Sequence, residues 1–273
     1  MSITNQNPKI NGIFSEMAEV AGYLWQRGWS ERNAGNISIN ISKLFSKEPE
    51  NIESYPFIEF KQFYPGLSGK YFLVSGTGTR MRDLAKRPAE NTLIIKIGAD
   101  GNGYHIISQT EELTEKTMLS TSELPAHLSI HQMIINRNSS EKVVMHAHTT
   151  ELIALTQIKE FCNEDILNKT LWGMHPETAM FVPEGVGFVP YVTSGTEDIA
   201  VETLKALQNH QVALWEKHGV FAIGDTLSNT FDTIDILAKS AKIFFLVSNT
   251  GYQPEGFDDK ELIKLRKLGK GFL

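Results

Sequence analysis

Cysteine is almost absent. Cys162 is the single thiol among 273 residues, which excludes an internal disulfide, a cysteine-built structural zinc site and an iron–sulfur cluster. Long apolar runs are missing too: nowhere do about 18 apolar residues follow one another, as a membrane span requires. The opening stretch MSITNQNPKI has neither the basic head nor the apolar centre of a secretory leader. A cytoplasmic protein is therefore expected. Positive charge is not in excess either, with 26 Lys and Arg against 32 Asp and Glu and a formal net charge of −6. Without a basic run, neither a nucleic-acid binder nor a polybasic membrane surface is expected. Small anions stay within reach, because binding them needs only local N–H groups. No G-x-x-x-x-G-K-[ST] occurs, so nucleotide hydrolysis has no support.

What is present reads as one domain over residues 1–273, with enough apolar residues (41%) for one sizeable core. From Lys9 to Gly28, Ile10, Phe14, Met17, Val20, Ala21, Leu24 and Trp25 recur at helical spacing, and Gly28 suits a left-handed stop. NISINI alternates as a short strand. Residues 43–70, with Pro49, Pro56 and Pro65, read as an insert on the surface. TLIIKIGADGNGYHII predicts two strands around a turn. Ser122 is placed to cap a helix with Pro125 in its first turn, and a further helix is expected from Thr196 to His210. The strands QVALW and GVFAIG then precede a long helix, and the charged segment near the C-terminus reads as a solvated helix. Hairpins mixed with helices predict an α+β or α/β/α sandwich around a largely antiparallel central sheet, not a doubly wound parallel one.

VVMHAHTT places His146 and His148 two residues apart at a strand end. Residues i and i+2 share a strand face about 6.6 Å apart, so both rings can converge on one ion. As a lone pair they equally suit a strand-end side chain and a solvated neighbour. His218, between two apolar strands and followed by Gly219, supplies a third imidazole. Three imidazoles suit zinc or a similar divalent ion with an open position for substrate. His127 and His131 share a helical face, but no glutamate follows His127 as a metalloprotease helix demands. They read as support for a site or as helix packing, while His105, His175 and His210 stand alone.

Glu123, in STSELPAH, falls at a helix start, where the dipole favours the ionised carboxylate; taken alone it is an ordinary first-turn glutamate. Three loops offer anion sites built from backbone N–H groups and hydroxyls. They are Asn33, Gly35 and Asn36; Ser75 and Gly76 in SGTG; and Thr121 with Ser122. Each by itself is also a plain glycine turn or cap.

Taken together and in this order, ERNAGNIS, SGTG, STSELPAH, MHAH and KHGVFAIGDTL resemble the class II aldolase/adducin family over nearly the whole chain. The resemblance implies an enzyme that cleaves a ketose phosphate between C3 and C4 through an enediolate. It also implies one zinc ion per subunit and a homotetramer with active sites near subunit interfaces. Matched motif by motif, His146, His148 and His218 stand at the metal ligands and Glu123 at the catalytic acid/base. Asn33, Gly35, Asn36, Ser75, Gly76, Thr121 and Ser122 stand at the phosphate and substrate loops. Glu177, in HPETAM, matches a glutamate contributed from a neighbouring subunit. The first loop reads Asn33-Ala34-Gly35-Asn36 where the family pattern has two glycines, and Gly35 keeps the close approach. The same ligands serve other sugar-phosphate aldolases, 4-epimerases and dehydratases of the family. A non-catalytic, adducin-like interaction module would need neither the three histidines nor Glu123.

Overall fold

The residues spaced three and four apart near the N-terminus form α1 (Pro8–Gln26), which buries Ile10, Phe14, Met17, Val20, Ala21 and Leu24. Gly28 takes a φ of 74° just past its end, as a left-handed stop requires. Trp25 leaves the expected apolar stripe: it is 41% exposed, and the guanidinium of Arg82, in the short helix α2 (Met81–Leu84), lies 5.3 Å from its ring centroid. A large amphipathic ring tolerates that position because a cation covers one face. The structure, a computed structural model, describes residues 8–46, 49, 51–108, 117–192 and 197–272. The chain packs as two compact units, Met1–Met145 with Gly224–Ser228 and His146–Ile223 with Asn229–Leu273.

In the first unit, β1 (Asn36–Asn40), β2 (Phe57–Glu59), β3 (Tyr71–Ser75), β4 (Thr92–Ile97) and β5 (Gly103–Ile106) lie in the order β2-β5-β4-β3-β1. Every pairing among them is antiparallel. β4 and β5 are the hairpin expected around the Gly98–Gly103 turn. All of β3 and most of β4 are buried, so both faces of this sheet are covered, as a layered fold requires. One face carries a core of Phe72, Val74, Leu93, Ile95 and Ile97, onto which α3 (Leu124–Asn136) lays Leu124 and Leu128. The segment between residues 43 and 70 adds β2 as an edge strand beside β5. It also sends Tyr64 and Leu67 into this core, and the Tyr64 hydroxyl donates to the Pro125 carbonyl at 3.1 Å.

The start of α3 differs from expectation. Glu123 occupies the cap position and no side chain caps the helix, although Pro125 does fall in the first turn. Thr121 does part of the work assigned to Ser122: its carbonyl accepts the Leu124 N–H at 3.1 Å and its hydroxyl accepts the Glu123 N–H at 3.3 Å. The chain makes a turn before the helix, which moves the cap one residue along.

In the second unit the end of β6 (Val143–Ala147) is followed in the sheet by β9 (Gly219–Gly224), β8 (Val212–Trp215) and β7 (Val186–Val189). β8 and β9 are antiparallel, whereas β7 and β8 are parallel. The protein is therefore α/β, with a mixed and largely antiparallel sheet. Around these strands lie α4 (Thr150–Leu155), α5 (Glu164–Met174), α6 (Pro176–Phe181), α7 (Glu197–Ala206) and α8 (Leu227–Ser248). Thr196, expected to open α7, lies outside the described residues. Thr178 of α6 and Ser240 of α8 join their buried hydroxyls at 2.7 Å.

The C-terminal helix α9 (Asp259–Gly269) is capped by a reciprocal Asp258–Glu261 box, but it is not merely solvated. Leu262 is buried, the Arg266 guanidinium sits 4.2 Å from the Trp172 ring centroid, and a Cβ on Gly269 would fall 2.2 Å from the Met180 carbonyl oxygen. Its charged residues conceal a narrow docking edge. Among the described residues, no helix is long and apolar enough to cross a membrane.

The outer edge of β7 is closed by a side chain. Asn168 of α5, 4% exposed, donates to the Val186 carbonyl at 2.9 Å and accepts the Val186 N–H at 2.7 Å. A buried backbone group left without a partner costs about 1–3 kcal/mol. Asn168→Leu is therefore expected to lower the unfolding free energy by several kcal/mol in urea titrations, and an unchanged midpoint would show that the edge is closed in another way.

Candidate functional site

The turn between β8 and β9 carries the third histidine of the candidate metal site. Lys217 adopts a left-handed φ of 61°, and its N–H donates to the buried Thr156 hydroxyl at 2.8 Å. The His218 N–H returns to the Trp215 carbonyl at 3.2 Å. Gly219 then passes so close to β6 that a Cβ there would lie 2.4 Å from the Ala147 carbonyl oxygen. No other residue permits that approach, which sets His218 beside the end of β6.

His146, His148 and His218 offer ligand nitrogens that all lie within 4.8 Å of one another. Their ring centroids form a nearly equilateral triangle, 5.0 to 5.2 Å on a side, with interplanar angles of 72° to 87°. The three rings therefore border one shared space. Small side-chain rotations bring the nitrogens to the spacing set by an ion with bonds of about 2.0–2.1 Å. His146 is 1% exposed, and its Nδ1 lies 2.9 Å from the Val220 carbonyl oxygen. A carbonyl can only accept, so Nδ1 carries the proton and Nε2 is the nitrogen that presents a lone pair. His148 and His218 are only half-buried, which leaves one side of the cluster open to a substrate. The donor set fits a divalent ion such as zinc.

Two aromatic residues that spacing alone did not single out hold these rings. Phe221 stacks on His146 with centroids 4.5 Å apart and planes 19° apart. Trp215 packs 5.6 Å from His146 and 5.0 Å from His218, and its indole N–H is anchored on the buried Thr203 hydroxyl at 2.8 Å. Both flank the His218 turn in sequence, and that proximity was the one available signal.

The first unit gathers the three loops singled out in the sequence. Ile37, next to Asn36, donates its N–H to the Ser75 hydroxyl at 3.1 Å, and the Thr121 N–H reaches the Ser75 carbonyl at 3.0 Å. Asn36, Ser75 and Thr121 thus stand side by side. Gly35 has the positive φ, 79°, that allows the tight entry into β1. Gly76 donates its N–H to the Asn91 carbonyl at 3.0 Å, so its contribution is room: a Cβ there would collide with Met118. Asn33 and Ser122 are exposed on their loops.

Glu123 is half-buried in this group and accepts a hydrogen bond from the Asn36 amide at 2.5 Å. The Asn36 carbonyl oxygen is in turn bonded to Nε2 of His127. His127 and His131, read from the sequence as support or packing, are 0% and 1% exposed and meet through the Ser38 hydroxyl. Glu177 lies in the first turn of α6, with a carboxylate oxygen 3.0 Å from Nε2 of His175.

Residues 15–245 match the family described as Class II Aldolase and Adducin N-terminal domain. The chain is 41% identical to a rhamnulose-1-phosphate aldolase of Bacteroides thetaiotaomicron over 264 residues, which is 96% of this chain and 95% of that one. It is 36% identical to a rhamnulose-1-phosphate aldolase of Escherichia coli, over 89% of this chain and 88% of that one. Among solved structures, a sugar-phosphate aldolase from Thermotoga maritima superposes with a TM-score of 0.75 at 29% identity, covering 91% of this chain and all of that one. An L-fuculose 1-phosphate aldolase, at 20% identity and a TM-score of 0.61, shares the fold. The chain therefore belongs to the class II aldolase and adducin N-terminal domain family.

Proposed function

We propose that this protein catalyses the reversible, zinc-dependent aldol cleavage of L-rhamnulose 1-phosphate to dihydroxyacetone phosphate and L-lactaldehyde. The observation that carries the reading is the near-full-length identity to rhamnulose-1-phosphate aldolases, and the three-histidine cluster supports it chemically. His146, through Nε2, together with His148 and His218, would hold the ion. When bound, the ion supplies Lewis-acid polarisation of substrate oxygens, worth several kcal/mol where negative charge develops.

The protein's own groups account for the proton movements. Cleavage between C3 and C4 leaves the electron pair on C3 and turns the C4 hydroxyl into an aldehyde, so a proton must leave that hydroxyl and another must reach C3. Glu123 is assigned the proton at C3, giving it in cleavage and removing it in condensation. Its hydrogen bond to Asn36 holds the carboxyl in one orientation. Asn33, Gly35, Asn36, Ser75, Thr121 and Ser122 are assigned to the phosphate and the hydroxyls, with Gly76 keeping the loop narrow. Glu177 is assigned to the aldehyde end from a neighbouring copy in a homotetramer. We place the enzyme in the cytoplasm as a single catalytic domain, consistent with its lone cysteine and its small-molecule chemistry.

Zinc-loaded protein incubated with L-rhamnulose 1-phosphate is expected to release dihydroxyacetone phosphate, read through a coupled reductase, and a chelator should abolish the release. No release from folded, metal-replete protein would transfer the site to another ketose phosphate, or to epimerase or dehydratase chemistry. His146→Ala should lower bound zinc to a small fraction of one ion per chain by atomic absorption. Gly219→Val should do the same without touching a ligand, because its side chain would push the His218 turn off β6. Full zinc content in both variants would contradict the proposed centre. Glu123→Gln should keep its zinc yet slow hydrogen exchange at C3 of dihydroxyacetone phosphate at least a hundredfold, whereas exchange at the parent rate would remove Glu123 from its role.

A further inference from the structure

Behind Glu123 and Asn36 lie three buried polar groups, Ser38, His127 and His131, that the reaction as described does not use. Asn36 and Ser38 occupy alternate positions of β1 and are 7% and 1% exposed; His127 and His131, one turn apart on α3, are 0% and 1% exposed. His131 Nε2 lies 2.8 Å from the Ser38 hydroxyl oxygen, the same oxygen lies 2.7 Å from His127 Nδ1, and His127 Nε2 is bonded to the Asn36 carbonyl oxygen. The Asn36 amide then donates to the Glu123 carboxylate. Polar side chains this deep cost several kcal/mol unless every member is paired, so the arrangement calls for a role.

The direction of each bond follows from chemistry. A carboxylate accepts, so Asn36 presents N–H₂ to Glu123 and its oxygen to His127. That oxygen also accepts, so His127 carries its proton on Nε2 and offers Nδ1 as an acceptor. Nδ1 then takes the Ser38 O–H proton, and the Ser38 oxygen accepts from His131 Nε2–H. Burial, with His127 alongside as a second contribution, holds the ionisation of His131 well below the usual histidine range, so that ring stays neutral. All four donors point the same way, toward Glu123. Such a chain has one low-energy orientation, because flipping the Asn36 amide would set two donors against each other at His127 and two acceptors against each other at Glu123.

We propose that His127, backed by Ser38 and His131, is a positioning residue that fixes the Asn36 amide and, through it, the Glu123 carboxyl for proton transfer. The inference rests on the assignment of Glu123 as acid/base. Without the Nε2–H donor, Asn36 is free to turn over and Glu123 loses its orientation, while the metal ligands are untouched. A misplacement of about 1 Å at a reacting group can cost on the order of a hundredfold in rate.

The test uses His127→Phe, which keeps a ring but no donor, and His127→Gln, whose amide can still donate to Asn36. Each is made alone and combined with Glu123→Gln, in zinc-loaded protein. For cleavage of L-rhamnulose 1-phosphate, His127→Phe should lower kcat about 10–100-fold with KM and zinc content within about twofold of the parent, and His127→Gln should recover most of the loss. In hydrogen exchange at C3 of dihydroxyacetone phosphate, adding His127→Phe to Glu123→Gln should cost no more than about twofold. Equal losses in the Phe and Gln variants, an effect confined to KM, or a full additional loss in the Glu123→Gln background would overturn the inference. Thermal unfolding midpoints of the same four-member cycle give a readout that does not need turnover. Non-additive changes at positions 127 and 123 support the coupling, and additive changes sink it. A parent enzyme that does not cleave L-rhamnulose 1-phosphate would refute that substrate instead and leave the unfolding cycle to decide this one.

Discussion

The approach of Gly219 to the Ala147 carbonyl is the contact on which the candidate metal centre depends. A two-strand hairpin can present a histidine at its turn in many directions. Here the absence of a side chain at Gly219 lets the turn close against the end of β6, with room for less than a Cβ between them. The left-handed Lys217 and its bond to Thr156 set the path of the chain just before it. Phe221 and Trp215 then fill the space behind the rings, so the imidazoles are held by packing as well as by any ion they bind.

The proposed acid/base group rests on a different kind of constraint. Glu123 is held by hydrogen bonds, and their supports run inward through Asn36 to a serine and two histidines with almost no contact with water. A buried chain of donors and acceptors has to be satisfied at every link, which makes it stiff and gives it a single sense. Aromatic packing thus orients the candidate metal ligands, while a polar chain orients the carboxylate proposed to move a proton. The two are suited to their tasks, since a metal imposes its own geometry on its ligands and a proton-transfer group has only its neighbours to aim it.

Several features of this arrangement were readable beforehand, and others misled for identifiable reasons. The helical stripe of α1 and the β4–β5 hairpin follow from local periodicity and turn chemistry, which need no partner. NISINI was legible as a strand, but its polar face, Asn36 and Ser38, resembles a solvent-facing edge and is in fact buried under α3. The cap of α3 moved from Ser122 to Glu123 because the preceding turn places Thr121, not Ser122, within reach of the first amides. The charged C-terminal stretch was read as solvated because its few contacts use Arg266 and Gly269, residue types that carry no hydrophobic signal.

The sequence by itself supplied the candidate ligands and the candidate acid. An imidazole or a carboxylate carries its chemistry wherever the chain places it, and two histidines two apart on a strand already share a face. It determined the family as well, because the motifs occur in a fixed order along nearly the whole length. Only the tertiary structure shows how His218 meets the pair, since it lies far from His148 along the chain and the missing side chain at Gly219 brings it there. Likewise, only the fold turned His127, His131 and Ser38 from plausible packing residues into an ordered chain behind Glu123, because the direction of a hydrogen bond depends on which groups meet in space.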